Sequence, residues 1–447
     1  MKKTSALLLS GAVLAVSVLS GCGQGAEKQE ASGEGGQKNV TLKYYNWDNE
    51  VMGATTKALI DQFQAKYPNI KVESVPLVPG NSVETLKKLD VTMSSGEQID
   101  LVLFPSIDET LARAAQGVLA PLDDMYAKEN VKPEDEYYVN PKYKGKNYAA
   151  MYQRSNWIVL LNQKALDEAK LPVPEVGWTW DDFREYAKKL TKGEGNNKRY
   201  GAYFHNWGDY ANPILFNEKR NAFLKEDGTT QFDDPSMLSF FNLRRTMEKE
   251  DKSTTPFADV VGAKLAYRTE FFNEKAAMLV TGSWMVADSA DVQKYPHNFK
   301  VAFAPVPRSS KDAELGQTSI GGQFISVAAG SKYKDEAYQF IRFVTTNTSD
   351  AKKELSGWKK ADDKKIIEGT IAKSKDLFNT DSLDKALFDK RIHAPAPSEV
   401  VAPYAPQLKK VLEDGFSSFI LDGKSAEDAQ KQMVEQANKV IKENSKK

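Results

Sequence analysis

The chain has 447 residues, 61 basic and 61 acidic side chains, three histidines and one cysteine. Balanced charge argues against a partner whose affinity rests on phosphate neutralisation, so no nucleic acid is expected as a partner. One cysteine cannot close an intramolecular disulfide, and the length exceeds what one core supports, which predicts two lobes held together by apolar packing.

The chain opens with Lys2 and Lys3, an uncharged apolar run from Ala6 to Leu19, and the small residues Ser20 and Gly21 before Cys22. This is the layout of a secretory signal, and a run of about 14 residues is short of the ~20 that a permanent membrane helix needs. The tetrad Leu19-Ser20-Gly21-Cys22 resembles the lipobox of bacterial lipoproteins, which implies that residues 1–21 are removed and the Cys22 thiol is acylated. Two acyl chains, at ~0.8 kcal/mol per buried methylene, anchor stably where one is marginal. Residues 22–39 are rich in Gly, Glu, Gln and Lys and read as a flexible tether, with an r.m.s. span of roughly 20 to 25 Å.

From Val40 the pattern is α/β. Val40–Asn46 and Ile70–Val75 alternate like strands, Ala54–Lys66 and Ser82–Met93 read as helices, and Asp100–Phe104 is a buried strand before a helix over Asp108–Gln116. Strands alternating with helices imply crossovers and a mainly parallel sheet. Gly145–Tyr148 reads as a turn and short strand, Trp157–Leu161 as a long apolar strand, and Thr179 with Asp182 as a capping box. Phe271–Ala287 and Val301–Pro307 alternate again, Tyr333–Thr345 is an amphipathic helix, and the last third is helical, with Val400, Leu408, Val411, Leu412 and Phe416 on one face.

Several stretches in this order resemble a known family: DLVLFPSIDETLARAAQGVLAPLDD, YKGKNYAAMYQRSNWIVLLNQKAL, GWTWDDFREYAKKLT, FFNEKAAMLVTGSWMVADSA, VAFAPVP and SIGGQFISVAAGSKYKDEAYQFIRFVTT. They are similar to the extracellular solute-binding proteins of sugar-importing ABC transporters, the group that includes the maltodextrin-binding protein. One departure is Leu161 before Asn162, where the family strand usually ends in an aromatic residue. The resemblance implies a two-lobed periplasmic-binding-protein type II fold, each lobe a mainly parallel sheet flanked by helices. Lobe 1 would be 40–150 plus 304–345, and lobe 2 would be 151–303 plus 346–447. It also implies a lipid-anchored, monomeric captor outside the cell membrane, with a sugar and the permease subunits as partners, no cofactor and no metal.

Sugar recognition needs flat aromatic faces and polar groups that bond hydroxyls, because a buried hydroxyl left unpaired costs ~1 to 3 kcal/mol. Trp47 and Asp48 follow the first strand, where the family loop contacts ligand, or Trp47 packs under that loop. Ser106 and Asp108 follow the third strand and equally read as helix caps. Tyr152, Arg154 and Ser155 form a polar run on the crossing into lobe two; the family's ligand-bonding position falls on Ser155, and Arg154 reads as an interlobe salt bridge or a grip on an acidic sugar. Trp207 and Tyr210 are stacking platforms or core. Trp284 in GSW falls where the family places a stacking Trp, Gly322 and Gln323 offer close backbone approach and an amide, and Tyr404 falls where the maltodextrin binder uses a Trp.

His205, His297 and His393 lack metal-ligand spacing, and neither G-x-S-x-G nor a P-loop occurs. Asp181-Asp182 and Asp233-Asp234 sit where helices begin and read as caps. A glycosidase needs only two well-spaced carboxylates, so an extracellular carbohydrate-active enzyme is the second reading and an adhesin or sensor lipoprotein the third.

Overall fold

The computed structural model describes residues 39–215, 217–219, 221–394, 400 and 402–444, so Cys22, the leader and all but the last residue of the expected tether lie outside the described residues. The strands are β1 Val40–Asn46, β2 Ile70–Pro76, β3 Leu101–Phe104, β4 Lys142–Tyr143, β5 Lys146–Asn147, β6 Ala150–Asn162, β7 Tyr200–Tyr203, β8 Ala276–Gly282, β9 Val301–Pro305 and β10 Ile320–Val327. β1 lies in parallel between β2 and β3, and β10 runs antiparallel to β3. The first half of β6 pairs with β10; its second half pairs with β8 and β9, and β7 lies parallel to β8. Each sheet therefore has a single strand against its grain, β10 in the first and β6 in the second.

Local chemistry explains the element ends. Asn49 accepts hydrogen bonds from the Val51 and Met52 amides, which starts the helix Glu50–Lys66 ahead of the expected Ala54. Asn81 caps Ser82–Ser94 in the same way, Thr179 and Asp182 form the capping box of Trp180–Leu190, and Asp234 caps Pro235–Arg245. Both Asp pairs thus belong to helix starts. The expected strand over Phe271–Ala287 is three elements: Phe271 and Phe272 close the helix Tyr267–Phe272, β8 follows, and Met285–Ala290 is again helical. β8 is buried on every residue as a central strand, so it shows a continuous apolar run in place of alternation.

The first core gathers Leu42, Phe63, Leu103, Ile325 and Ile341 around β1, β3 and β10. The second surrounds the later half of β6 with Ile158, Leu160, Phe183, Leu279 and Phe303, and takes in Ile367, Ile371 and Leu383 from the chain beyond Asp363. A third, mainly helical core joins Phe240 and Phe241 to Leu408, Phe416, Phe419 and Met433. The boundary expected at 304 falls inside β9, which pairs with β6, and the chain re-enters the first sheet at Ile320.

Three crossing segments lie side by side. Residues 153–156 of β6 are flanked on one edge by β10 and on the other by 355–357: Arg154 N donates to Leu355 O at 2.9 Å and Gly357 N to Tyr152 O at 3.3 Å. A Cβ on Gly357 would run into the Met151 carbonyl, so only glycine fits there. Gly357→Ala is therefore expected to cost about 1 to 3 kcal/mol, read as a lower urea midpoint at unchanged slope.

Candidate functional site

A cleft of about 210 Å³ lies between the first and second cores, and Ser155, Gly321, Gly322, Gln323 and Glu354 reach it from the crossing segments. Six aromatic residues line it, Trp47 from the first core's side and Trp157, Trp207, Tyr210, Tyr267 and Trp284 from the second's. Trp157 stands edge-on to both Trp284, with ring centroids 5.6 Å apart, and Tyr210, at 5.3 Å. Such T-shaped pairs fix ring orientation and leave a ring face free. Gly282 has no side chain because the Trp284 ring occupies the space a Cβ would take.

His205 supports this wall. Its ring lies 4.7 Å from that of Trp207 and 5.4 Å from that of Tyr210, and Nδ1 shares a hydrogen bond of 3.0 Å with the Tyr203 hydroxyl. Burial pushes its pKa down to about 4, so it stands neutral at physiological pH.

Of the residues singled out in the sequence, Trp47, Ser106, Ser155, Trp207, Tyr210, Trp284, Gly322 and Gln323 come together in this cleft. Ser106 also caps the helix Ile107–Ala115 through the Glu109 amide at 3.3 Å. Asp48 is buried beside Trp47; one oxygen has no partner, and burial pushes the carboxyl up to about 6. Asp108 sits in the first turn of the Ile107 helix, and burial, with the Asp209 charge next, raises it to about 7.

Three candidates serve elsewhere. Tyr152 is buried in the first core, where the Lys352 ammonium lies 4.2 Å from its ring centroid. Tyr404 precedes the helix Ala405–Asp422 and packs on the third core. Arg154 donates to Asp363 Oδ2 at 2.7 Å and Asn156 Oδ1 at 3.1 Å, with its guanidinium over the Tyr138 ring. Asp363 in turn accepts the Ser356 amide at 2.7 Å. Arg154 clamps the crossing and is not offered to a ligand.

The sequence reading missed the charged lining. Arg268 Nε donates to Asp288 Oδ2 at 2.7 Å, Lys409 pairs with Asp209, and Glu109 pairs with Arg113. Glu354 makes no hydrogen bond among the described residues, and burial, with Asp288 next, raises its carboxyl to about 7. Lys352, two residues before it, is buried, its Nζ has no hydrogen-bond partner, and burial lowers its pKa to about 7. The only signal for these was a charged residue next to an aromatic or a crossing, as in Tyr267-Arg268, which is too common to single out.

A larger hollow of about 490 Å³ lies away from the cleft, lined by Met93, Gln98, Asp100, Ala329 and Tyr333. Its Asp100 is already engaged, accepting from the Lys43 amide, Gln98 and the Ser331 hydroxyl at 2.9, 2.7 and 2.5 Å. No group of three His, Asp or Glu side chains among the described residues could hold a metal ion, and no described helix is long and apolar enough to cross a membrane.

The family model described as bacterial extracellular solute-binding protein matches residues 46–351. A curated relative, the sn-glycerol-3-phosphate-binding periplasmic protein of Escherichia coli K12, is 22% identical over 307 residues, 66% of this chain and 67% of that protein. Two solved structures share the fold. An ABC substrate-binding protein of Listeria monocytogenes in complex with cycloalternan aligns with a TM-score of 0.73 and 21% identity over 90% of this chain and 99% of that one. The UgpB protein of Mycobacterium tuberculosis in complex with glycerophosphocholine gives 0.71 and 19% over the same shares.

The Arg154–Asp363 pair has side chains only 11% and 10% exposed, so Arg154→Met leaves a buried carboxylate without its cation. A loss of about 3 kcal/mol is expected in equilibrium unfolding.

Proposed function

Because this chain belongs to the bacterial extracellular solute-binding protein family, we propose that its cleft captures a sugar or oligosaccharide and delivers it to the permease of an ABC transporter. The observation that carries this reading is the lining itself: six aromatic rings opposite polar groups on the crossing segments. Ring faces match the apolar side of a pyranose, and the polar groups answer its hydroxyls. In this reading Trp47, Trp207, Tyr210 and Trp284 are the stacking surfaces, while Ser106, Ser155, Gly322 and Gln323 supply hydrogen bonds. The relatives' named ligands, cycloalternan, sn-glycerol-3-phosphate and glycerophosphocholine, support a solute taken up in such a cleft.

The lobes are taken as 40–156 with 320–347, and 157–319 with 357–444. Elements of the two touch across the cleft: Lys294 lies 3.8 Å from Glu50, and the helix Ala405–Asp422 packs beside Ile107–Ala115. A solute that bonds both lobes stabilises such a closed arrangement, and a closed receptor is what a permease distinguishes from an open one. Moving the equilibrium from 1:99 to 99:1 takes ~5.5 kcal/mol of differential affinity.

The cleft carboxyls favour binding over catalysis. A glycosidase needs an acid and a second carboxylate free to act, and three of the four carboxyls lining this cleft are engaged with Arg113, Lys409 or Arg268. We place the mature protein as a monomer outside the cell membrane, held by an acylated Cys22.

Thermal-shift screening against mono- and oligosaccharides tests the receptor reading; a ligand at 100 times Kd adds ~2.7 kcal/mol of stability, and turnover of a glycan would sink the reading. Trp284→Ala is expected to weaken calorimetric affinity at least tenfold, with unfolding little changed. Cys22→Ser is expected to move the protein from membranes to medium at unaltered affinity, and continued membrane retention would remove the anchor assignment.

A further inference from the structure

The charged lining carries an inference that rests on the receptor reading and sharpens it. The two cations lining the cleft are each already compensated: Arg268 by Asp288 at 2.7 Å, and Lys409 by Asp209. Glu354 lines the same cleft with no hydrogen bond to any described residue. Gln323, also in the lining, keeps its buried side-chain oxygen Oε1 without a partner. With Glu354 ionised both of these groups are acceptors, so this side of the cleft calls for hydrogen-bond donors, while the spare N–H groups of Arg268 call for neutral acceptors such as hydroxyl oxygens.

We infer that this cleft selects an uncharged polyol over a phosphorylated or carboxylated one, and that Glu354 is the residue that sets the choice. A neutral glycan brings vicinal hydroxyls whose two O–H groups suit one carboxylate, and charge-assisted bonds of this kind are about twice as strong as neutral ones. A phosphate or uronate brings acceptors and negative charge to a place that holds Glu354 and Asp288 and lies close to Asp48. The two cations that line the cleft each have an aspartate already beside them. Arg268 keeps terminal N–H groups with no hydrogen bond among the described residues, and these can serve hydroxyl oxygens. Its charge is offset by Asp288, and its field is already felt at Glu354. The groups acting on Glu354 are Asp288, Arg268, Lys352 and Asp48; burial raises its pKa to about 7 in the free protein, so hydroxyl donors that favour the carboxylate will pull it down again.

The test uses the mature chain and a charge series: maltotriose, cellotriose and mannotriose against trigalacturonate and sn-glycerol-3-phosphate, by calorimetry at pH 7.5. Expected is binding of a neutral trisaccharide at least tenfold tighter than either anion. In Glu354→Gln that trisaccharide is expected to weaken about tenfold while the gap to the anions narrows, with a melting curve that shows the variant folded. An anion bound more tightly than every neutral trisaccharide overturns the inference without a variant and leaves the receptor reading standing. Unchanged trisaccharide affinity in a folded Glu354→Gln overturns the role of Glu354. Failure of the receptor reading would look different, as new reducing ends released from a trisaccharide.

Discussion

The structure depends on one strand serving two sheets. β6 pairs with β10 through Asn156 and with β8 and β9 from Trp157 onward, so a single backbone run fixes the first sheet against the second. A strand in that position has to solve a polar problem, because its middle passes between two apolar cores. Arg154, Ser155 and Asn156 occupy that middle, and each finds a use. Arg154 binds Asp363, Asn156 exchanges bonds with Ser283, and Ser155 faces the cleft. The cleft exists where it does because this is the stretch of β6 between the two cores, which neither covers. Ligand pockets between α/β units sit at such junctions for the same reason.

Much of the fold was legible. Alternation found β1 and β2, and Ser, Thr and Asp caps located helix starts, because both signals are local: the hydrogen bonds that decide them span only a few residues. The limits of legibility are physical too. The ends of β8 were not found because burial on both faces erases the period-two signal that would have separated the strand from the helices on either side. The re-entry into the first sheet was placed at 304 in place of 320 because 306–319 are held by distant partners, such as Trp178 with Arg308 and His393 with Thr318. No neighbouring residue announces those contacts.

The site divides along the same line. Trp47, Ser106, Ser155, Trp284, Gly322 and Gln323 follow strand ends or sit on crossings, so a rule about where α/β proteins bind ligands could find them. Arg154 was noticed for the right reason, a charge on a crossing. Its role was set by Asp363, which is far away in sequence and could not be paired with it in advance. Tyr152 and Tyr404 have the chemistry of stacking residues, yet packing turns one into the first core and the other onto the third. Arg268, Asp288 and Glu354 went unseen because charge on a helix or loop ordinarily means a solvated surface, and only the folded chain gathers them around one space.

That gathering has an energetic consequence for the empty receptor. Glu354, in the lining, is pushed up to about 7, with burial the leading cause and the Asp288 charge next. The sign for Glu354 is fixed by linkage. A carboxyl that holds its proton more tightly folded than unfolded makes the folded state less stable as pH rises from its ordinary value towards 7. Without ligand, the cleft is therefore a place where stability is given up near neutral pH. A solute whose hydroxyls bond the ionised carboxyl reverses that term, because it stabilises the charged form and acts only when the cleft is filled. The same strained electrostatics that weaken the free protein thus widen the energy difference between filled and empty cleft, and that difference is the quantity a receptor needs in order to couple capture to closure.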